Sequence, residues 1–367
     1  MHIRSASRWS AARYAWTLGT IKRKMKKIII PILVIIQVAC NNKPEFSISE
    51  YHETINKAEL LICSANYEQA SNEYNRAFEK IVKPFGHDVF NAALVNQLAN
   101  KPNARNAYLQ LLIDNSDDLD KVKSTFVNVY ITQEVWDQLL QDRKVAYNLE
   151  LRSEFKEIQD RDQLFRPMYD THDDTINANR IINMNRILEL TALSGFPSQI
   201  ELGFTESLWG QNHDIVLHHT SQRRSRDKNI MDLEPILFQA VNKGRFDPER
   251  AIFFLSMQND SDKRNFETYS TWQHVHPLLP DSLNNKIWLP NLTKEQEISA
   301  NEMRMRWKAD KLVDIAAKSN FKTKNNLPFI FTSVRKSIGN MSDKYDLQQA
   351  LEQYKMATSW MKEYNPN

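Results

Sequence analysis

Residues 47–78 read SISEYHETINKAELLICSANYEQASNEYNRAF, and this stretch decides the fold class. Ile48, Tyr51, Ile55, Ala58, Leu61 and Ile62 recur at helical spacing, not at the strict alternation of a half-buried strand. A second run starts at Asn66 and places Tyr67, Ala70, Tyr74, Ala77 and Phe78 on one face. Its small alanines let helices approach closely, and its aromatics fill the gap between them. The whole chain holds only 7 glycines in 367 residues. Sheet proteins with many tight turns spend glycine freely, so the expectation is an all-α protein with polar loops.

The same pattern continues. Val89, Ala92, Ala93, Val95 and Leu98 precede a break at Lys101-Pro102, and Ala104, Ala107, Leu109, Leu111 and Leu112 follow it. The series Tyr67…Ala70…Tyr74…Ala77-Phe78 resembles the helix-turn-helix unit of tetratricopeptide repeats. That resemblance implies repeat-like helical hairpins over 47–130. Such a layer presents a concave face to a peptide or protein, or it caps a second domain. Asp114 to Asp118 reads as a turn and helix start, because short polar side chains cap free N–H groups. It lacks the glycine and the final glutamate of a calcium loop.

Thr132 to about Asp160 is expected to be helical, with Val135, Leu139, Leu140, Tyr147, Leu151, Phe155 and Ile158 as its apolar side. Next come Asp162-Gln163 with Arg166, then Asn185 and Leu188, Gly195-Phe196-Pro197 and Leu202-Gly203. Trp209, Val216-Leu217-His218-His219, Leu233 to Leu237 with Ala240, Val241 and Gly244, and Tyr269-Ser270-Thr271-Trp272-Gln273 complete the order. This order resembles an uncharacterised bacterial family known only as a domain of unknown function, with Asp-Gln-x-x-Arg and Tyr-Gly-Thr-Gln motifs. His218 stands where that family has glutamine, Ser270 replaces its glycine, and Trp272 is inserted. Phe254 to Met257 stand where its Asp-Arg pair belongs. The resemblance implies a helical domain over 131–320 in which a family site is partly lost.

Upstream, Met25 to Cys40 reads MKKIIIPILVIIQVAC. A basic start, an uncharged apolar run and a small residue before cysteine form the order of a secretory signal. The run is short of the ~20 residues that span a bilayer, and Pro31 interrupts it. With cysteine at the cut point, Gln37-Val38-Ala39-Cys40 resembles a bacterial lipoprotein signal, although the family usually has leucine at the position of Gln37. The resemblance implies a signal peptide over 25–39, acylation (palmitate) of Cys40, and a membrane held through lipid. Residues 40–46 would be a polar tether, and Asn41 is not the aspartate that retains such proteins at the inner membrane. The expected address is the bacterial cell envelope, with the outer membrane favoured. Residues 1–24 are basic, carry no acid, and read as an upstream extension from a start codon placed too early.

Removing residues 1–39 takes away eight basic residues and no acidic one. The other 328 residues then hold 40 basic against 45 acidic side chains, net −5, instead of +3 for the whole chain. A mildly acidic exported chain has no electrostatic case for nucleic acid. With Cys40 acylated, Cys63 stands alone and no disulfide forms within the chain. Its setting, Leu60-Leu61-Ile62-Cys63, fits a small buried hydrophobe.

The chemistry-bearing residues leave two readings open. Asp162, Gln163, His219 and Tyr269 are the candidate catalytic residues of a hydrolase-like enzyme. Alternatively Asp162, Gln163, Arg166 and His219 form a satisfied polar network between helices, and the Asp162–Arg pairs fix helix register. A metal site would need His219 with His274 or His276 and Asp162. His213 is five and six residues from His218 and His219, the wrong step for a shared face, so no metal or other cofactor is expected. No Gly-x-Ser-x-Gly elbow or phosphate loop is present. The run from Gln222 to Lys228 reads as a basic helix end and loop. Helices are expected from Lys294 to about Ala317 and from Ser342 to Tyr364, with Leu327 to Phe331 as a buried extended link. Met303, Trp307, Leu312 and Ile315 read as core. Tyr345, Leu347, Leu351, Tyr354, Trp360 and Met361 are candidates for a partner face, and 321–367 is the C-terminal link and helix. The expected function is a protein-interaction or structural module of the envelope, of unknown activity, with an envelope protein or peptide as partner.

Overall fold

The computed structural model describes residues 47–79, 81, 83–166, 169–205, 208, 210, 213–224, 231–259, 272–275, 280, 283, 286–338, 347–359 and 361–364. Cys40, the signal segment, the tether, Trp209, the loop after Arg224, Tyr269 to Thr271, His276, Tyr345 and Trp360 lie outside the described residues.

Helix α1 (Ile48–Cys63) starts at a capping box. Ser47 Oγ accepts from the Glu50 N–H at 3.3 Å, and Glu50 Oε2 accepts from the Ser47 N–H at 3.0 Å. Asn66 caps α2 (Tyr67–Phe78). Helix α3 (Gly86–Leu98) is buried from Gly86 to Asn96, so it is a central helix and not a surface one. Pro102 opens α4 (Pro102–Asn115), where its missing N–H costs nothing. These four helices pack in sequence, α1 on α2, α2 on α3 and α3 on α4. Tyr51, Ala58, Ile62, Ala70, Tyr74, Ala77, Val89, Leu94, Leu109 and Leu112 make their shared core. Ala107, expected on the inner face of α4, is exposed, and Arg105 is buried instead.

The continuous helix expected from Thr132 to Asp160 is two helices. After α5 (Asp120–Phe126) come α6 (Gln133–Gln141) and α7 (Leu149–Gln163). The linker between them is held by the end of α4. Asp114 accepts the Lys144 N–H at 2.9 Å on its side chain and the Ala146 N–H at 3.0 Å on its carbonyl. Trp136, not Leu140, is the buried anchor of α6.

Helix α8 (Tyr169–Ser194) kinks at His172 and packs along α7. The short α9 (Gln199–Leu202) follows, then α10 (Asp214–Arg224), α11 (Glu234–Asn242) and α12 (Pro248–Asn259). Phe155, Ile158, Ile187, Val216, Leu217, Leu237, Val241 and Phe254 are the core of this group. The backbone of Phe204 joins it to the hairpin layer, donating to Asn115 O at 2.6 Å. Its ring lies over the start of α3. A Cβ on Gly86 would come within 2.9 Å of two Phe204 ring carbons and 3.0 Å of the Leu208 carbonyl. Gly86→Val is therefore expected to destabilise by about 1–3 kcal/mol through overpacking. Urea unfolding measures it, and a midpoint equal to wild type would refute the close approach.

The C-terminal third departs from the all-helical expectation in detail. The stretch expected as one helix from Lys294 is α13 (Lys294–Arg306) and α14 (Leu312–Lys324). Lys308 sits in the left-handed region at φ 60°, and Asp310 gives its backbone to side chains. Its N–H donates to Glu249 Oε1 at 3.0 Å, and its carbonyl accepts from Arg304. The last expected helix is α15 (Leu347–Thr358) followed by a strand. A small four-stranded sheet, β1 (Trp272–Val275), β2 (Trp288–Pro290), β3 (Arg335–Ile338) and β4 (Met361–Glu363), has the order β3-β1-β2-β4. β1 runs parallel to β3 and antiparallel to β2, and β2 runs antiparallel to β4. The fold class remains all-α.

By backbone contacts, Ser47–Asn367 is one unit. Helix α14 returns to pack on α1. The buried link at Phe329 and Phe331 is held on α3, where Asn91 donates to Ile330 O at 2.7 Å and accepts from its N–H at 2.8 Å.

Candidate functional site

The residues singled out in the sequence meet in part. Asp162 lies in the last turn of α7, its side chain 1 % exposed. Its Oδ2 is 2.6 Å from His219 Nδ1 on α10 and accepts from Gln163 Nε2 at 2.8 Å. Its Oδ1 is 3.4 Å from an Arg166 guanidinium nitrogen. Arg161 turns away and donates to Asn183 on α8 at 3.1 Å. Asp162, Gln163, Arg166 and His219 thus form one network, with Tyr269 outside the described residues.

A carboxylate on His219 Nδ1 is the orienting half of a catalytic triad. The other half is absent among the described residues, where no hydroxyl or thiol bonds to His219. His218 stacks on Phe253, and burial lowers its pKa. His213, just before α10, is enclosed by Phe155, Phe196 and Phe246, and burial pushes its pKa down to about 3. Only the backbone of His274 is described, in β1. Among the described residues no group of three or more His, Cys, Asp or Glu is placed to hold a metal ion. Cys63 is part-buried, and burial raises its thiol to about 12, so it is an unreactive thiol at neutral pH.

A second centre was not foreseen. It lies where α1, α3, α12 and α14 converge. Lys318 of α14 has a side chain 0 % exposed and is paired with Glu59 of α1 and with Asp310, at 2.5 Å from the latter. Arg304 of α13, equally buried, pairs with Glu249 at the start of α12. Tyr51 donates to Asp88 Oδ2 at 2.5 Å. His87 Nε2 lies 3.3 Å from Asp88 Oδ1 and 3.7 Å from Asp247 Oδ2.

The charges divide unevenly. Burial pushes Glu59 up to about 8 and Asp88 up to about 8, although Lys318 and Tyr51 pull the other way. Burial also raises Glu249. For Asp310, burial is outweighed by Lys318, and the carboxyl is held below its ordinary value. Burial would lower Lys318, yet Asp310 and Glu59 hold it above an ordinary lysine. One cation therefore sits between two carboxyls, with the negative charge on Asp310 and the proton on Glu59. Burial lowers His52 to about 4 and also lowers His87, which keeps both rings neutral at neutral pH.

This centre opens to solvent. A cleft of about 360 Å³ runs between α1 and the corner joining α13 to α14, with Ser49, His52, Asn56, Met305, Lys308 and Asp314 in its walls. At its floor a cavity of about 30 Å³ reaches Glu59, His87, Asp88, Asp247 and Glu249. The two share His52, Asn56, Lys308, Ala309 and Asp310. A broader groove of about 1000 Å³ over α5 has no buried polar side chain in its lining.

A signal for this centre existed. Glu59 falls among Tyr51, Ile55, Ala58 and Ile62 on the buried face of α1, and Lys318 falls among Ile315, Ala316 and Ser319 on that of α14. A charge at an apolar position of a helix marks a buried partner. Which charge it meets, about 260 residues away in sequence, is not readable from spacing.

No protein-family model, curated protein or solved structure matches the chain. The fold and the site therefore define the protein by themselves: an all-α protein with a buried charge centre under a polar cleft.

Proposed function

We propose that the chain is a lipid-anchored, non-catalytic interaction module of the bacterial envelope, tethered through Cys40, which receives an envelope protein or peptide in the cleft beside α1. The observation that carries this reading is how the two centres differ. Both Asp162 oxygens are engaged by protein donors, as in a network that holds α7 against α10. The cleft floor instead keeps unpaired polar atoms on His52, Asn56, His87 and Asp88, the condition of a surface that a partner completes. The hairpin layer from α1 to α4 supports the same reading, since stacked helix pairs offer extended faces to partners.

The test is photo-crosslinking in the producing cell from Glu53, an exposed position on the cleft rim, together with palmitate labelling. Wild type is expected to take label and to yield an adduct with an envelope protein. Cys40→Ser is expected to lose the label and most of the adduct. Hydrolysis of ester, peptide, glycoside or phosphate-ester probes by the purified protein, lost in His219→Gln, would overturn this reading in favour of the enzyme.

A further inference from the structure

Four polar atoms at the cleft floor have no hydrogen-bond partner among the described residues: His52 Nε2, Asn56 Oδ1, His87 Nδ1 and Asp88 Oδ1. His87 is 4 % exposed and Asp88 1 %. Leaving such atoms unpaired costs folding free energy, so the arrangement calls for a complement.

Three of these four atoms can act as acceptors. Asn56 Nδ2 already donates to Asp314 Oδ2 at 2.9 Å, so the atom left over is its carbonyl oxygen, an acceptor. Asp88 Oδ2 is used by Tyr51, which leaves Oδ1. His87 turns Nε2 toward two carboxyls, which places the ring proton there and makes Nδ1 an acceptor. With Asp88 ionised, Asp88 Oδ1, Asn56 Oδ1 and His87 Nδ1 are three acceptors that call for hydrogen-bond donors.

Charge points the same way. Glu59, Asp88, Asp247, Glu249 and Asp310 all line the floor cavity. The buried cations paired with them are Lys318 and Arg304. At neutral pH burial keeps Glu59 and Asp88 protonated, so a cation is accommodated by displacing the Asp88 proton, and Lys308, which also lines the cavity, donates to Asn242 Oδ1. Size agrees as well. The floor cavity of about 30 Å³ matches the ~30 Å³ that a water occupies in the liquid, and an –NH₃⁺ head is of similar bulk. The cleft above, of about 360 Å³, has the volume for an alkyl stem, with Met305 and Ala309 in its wall.

We propose that the cleft recognises a primary ammonium group, the side chain of a lysine on the partner peptide, with the –NH₃⁺ among Asp88 Oδ1, His87 Nδ1 and Asn56 Oδ1. This rests on the interaction-module reading and names the chemistry of its partner. A lysine offers three donors and one charge on a flexible stem, which fits three acceptors at the floor of the cleft. A quaternary ammonium has the charge without the donors, and an alcohol has a donor without the charge.

The experiment is isothermal titration of the full chain, freed of its lipid, with n-butylammonium, n-butanol and butyltrimethylammonium. Butylammonium is expected to bind at least tenfold tighter than either analogue. Asp88→Asn, which keeps an acceptor for Tyr51, is expected to weaken it at least tenfold without lowering the melting midpoint at pH 7. Asn56→Ala, at a half-buried position, is expected to weaken it as well should Asp88→Asn fail to fold. A lysine peptide should bind, and its acetyl-lysine form should not. Equal binding of the three small probes, or none, overturns the proposal. Vesicles of phosphatidylethanolamine that bind while the lysine peptide does not overturn the peptide as the source. A Glu53 adduct that persists in saturating butylammonium sinks the ammonium site and leaves the interaction module standing, whereas loss of every adduct in wild type removes both.

Discussion

Lys318→Met is expected to cost the fold about 3–5 kcal/mol, the range for breaking a buried ion pair by removing one partner. The ammonium of Lys318 is sealed from water and lies between Glu59 and Asp310. Methionine fills much of the same space, so packing changes little. The damage is electrostatic. Asp310 keeps its charge because Lys318 is beside it, and without that cation a buried carboxylate stands uncompensated. It must then take up a proton or open the corner between α13 and α14. Equilibrium urea unfolding at pH 7 reads the loss. Asp310→Asn in the same chain is expected to restore more than half of it, because the liability is the orphaned carboxylate. A loss below about 1 kcal/mol, the worth of an exposed pair, would show that Lys318 is not what holds α14 to α1.

Stability is expected to fall as pH rises from about 6.5 to 8, against the usual behaviour of proteins, which are destabilised by acid. In the native state Glu59 and Asp88 keep their protons up to about pH 8 because burial disfavours the carboxylates. In the unfolded chain they release them near pH 4. Between these values the native state binds more protons than the unfolded state, so their contribution is complete below about pH 4 and is lost through pH 8. Each group contributes ~1.4 kcal/mol per pH unit in that window. The buried histidines act in the opposite sense, but only lower down. His52 is lowered to about 4, so it adds stability as pH rises from about 4 to its unfolded value near 6.5. Above 6.5 the acids act alone. Urea unfolding at half-unit steps of pH measures the slope, and Glu59→Gln with Asp88→Asn is expected to remove most of it. A flat or rising profile in the wild type would contradict neutral carboxyls at this centre.

The sequence made part of this legible. Helical spacing located α1 to α4, because apolar residues recur at a helical period in each stretch. The Asp162 network was legible as well, since Asp162, Gln163 and Arg166 are near neighbours in the chain and His219 was named as their partner. The errors have physical causes. The break between α6 and α7 is imposed by Asp114, at the end of α4, which captures the linker's N–H groups. The corner at Lys308 to Asp310 is imposed by Glu249 and Arg304 from other parts of the chain. The small sheet pairs strands as far apart as Trp288 and Glu363, and such short segments carry too few residues for a period of two to show.

By itself the sequence determined the helical class and the succession of helices α1 to α4, because these depend on local periodicity; the local order of residue types also leads to the expectation of export and a lipid on Cys40. Only the tertiary structure decided where Lys318, Glu59, Asp88 and Asp310 meet. A charge on a buried helix face states that a partner exists, but its identity is set by which helices pack together. That packing turns scattered acids into a cleft with acceptors to spare.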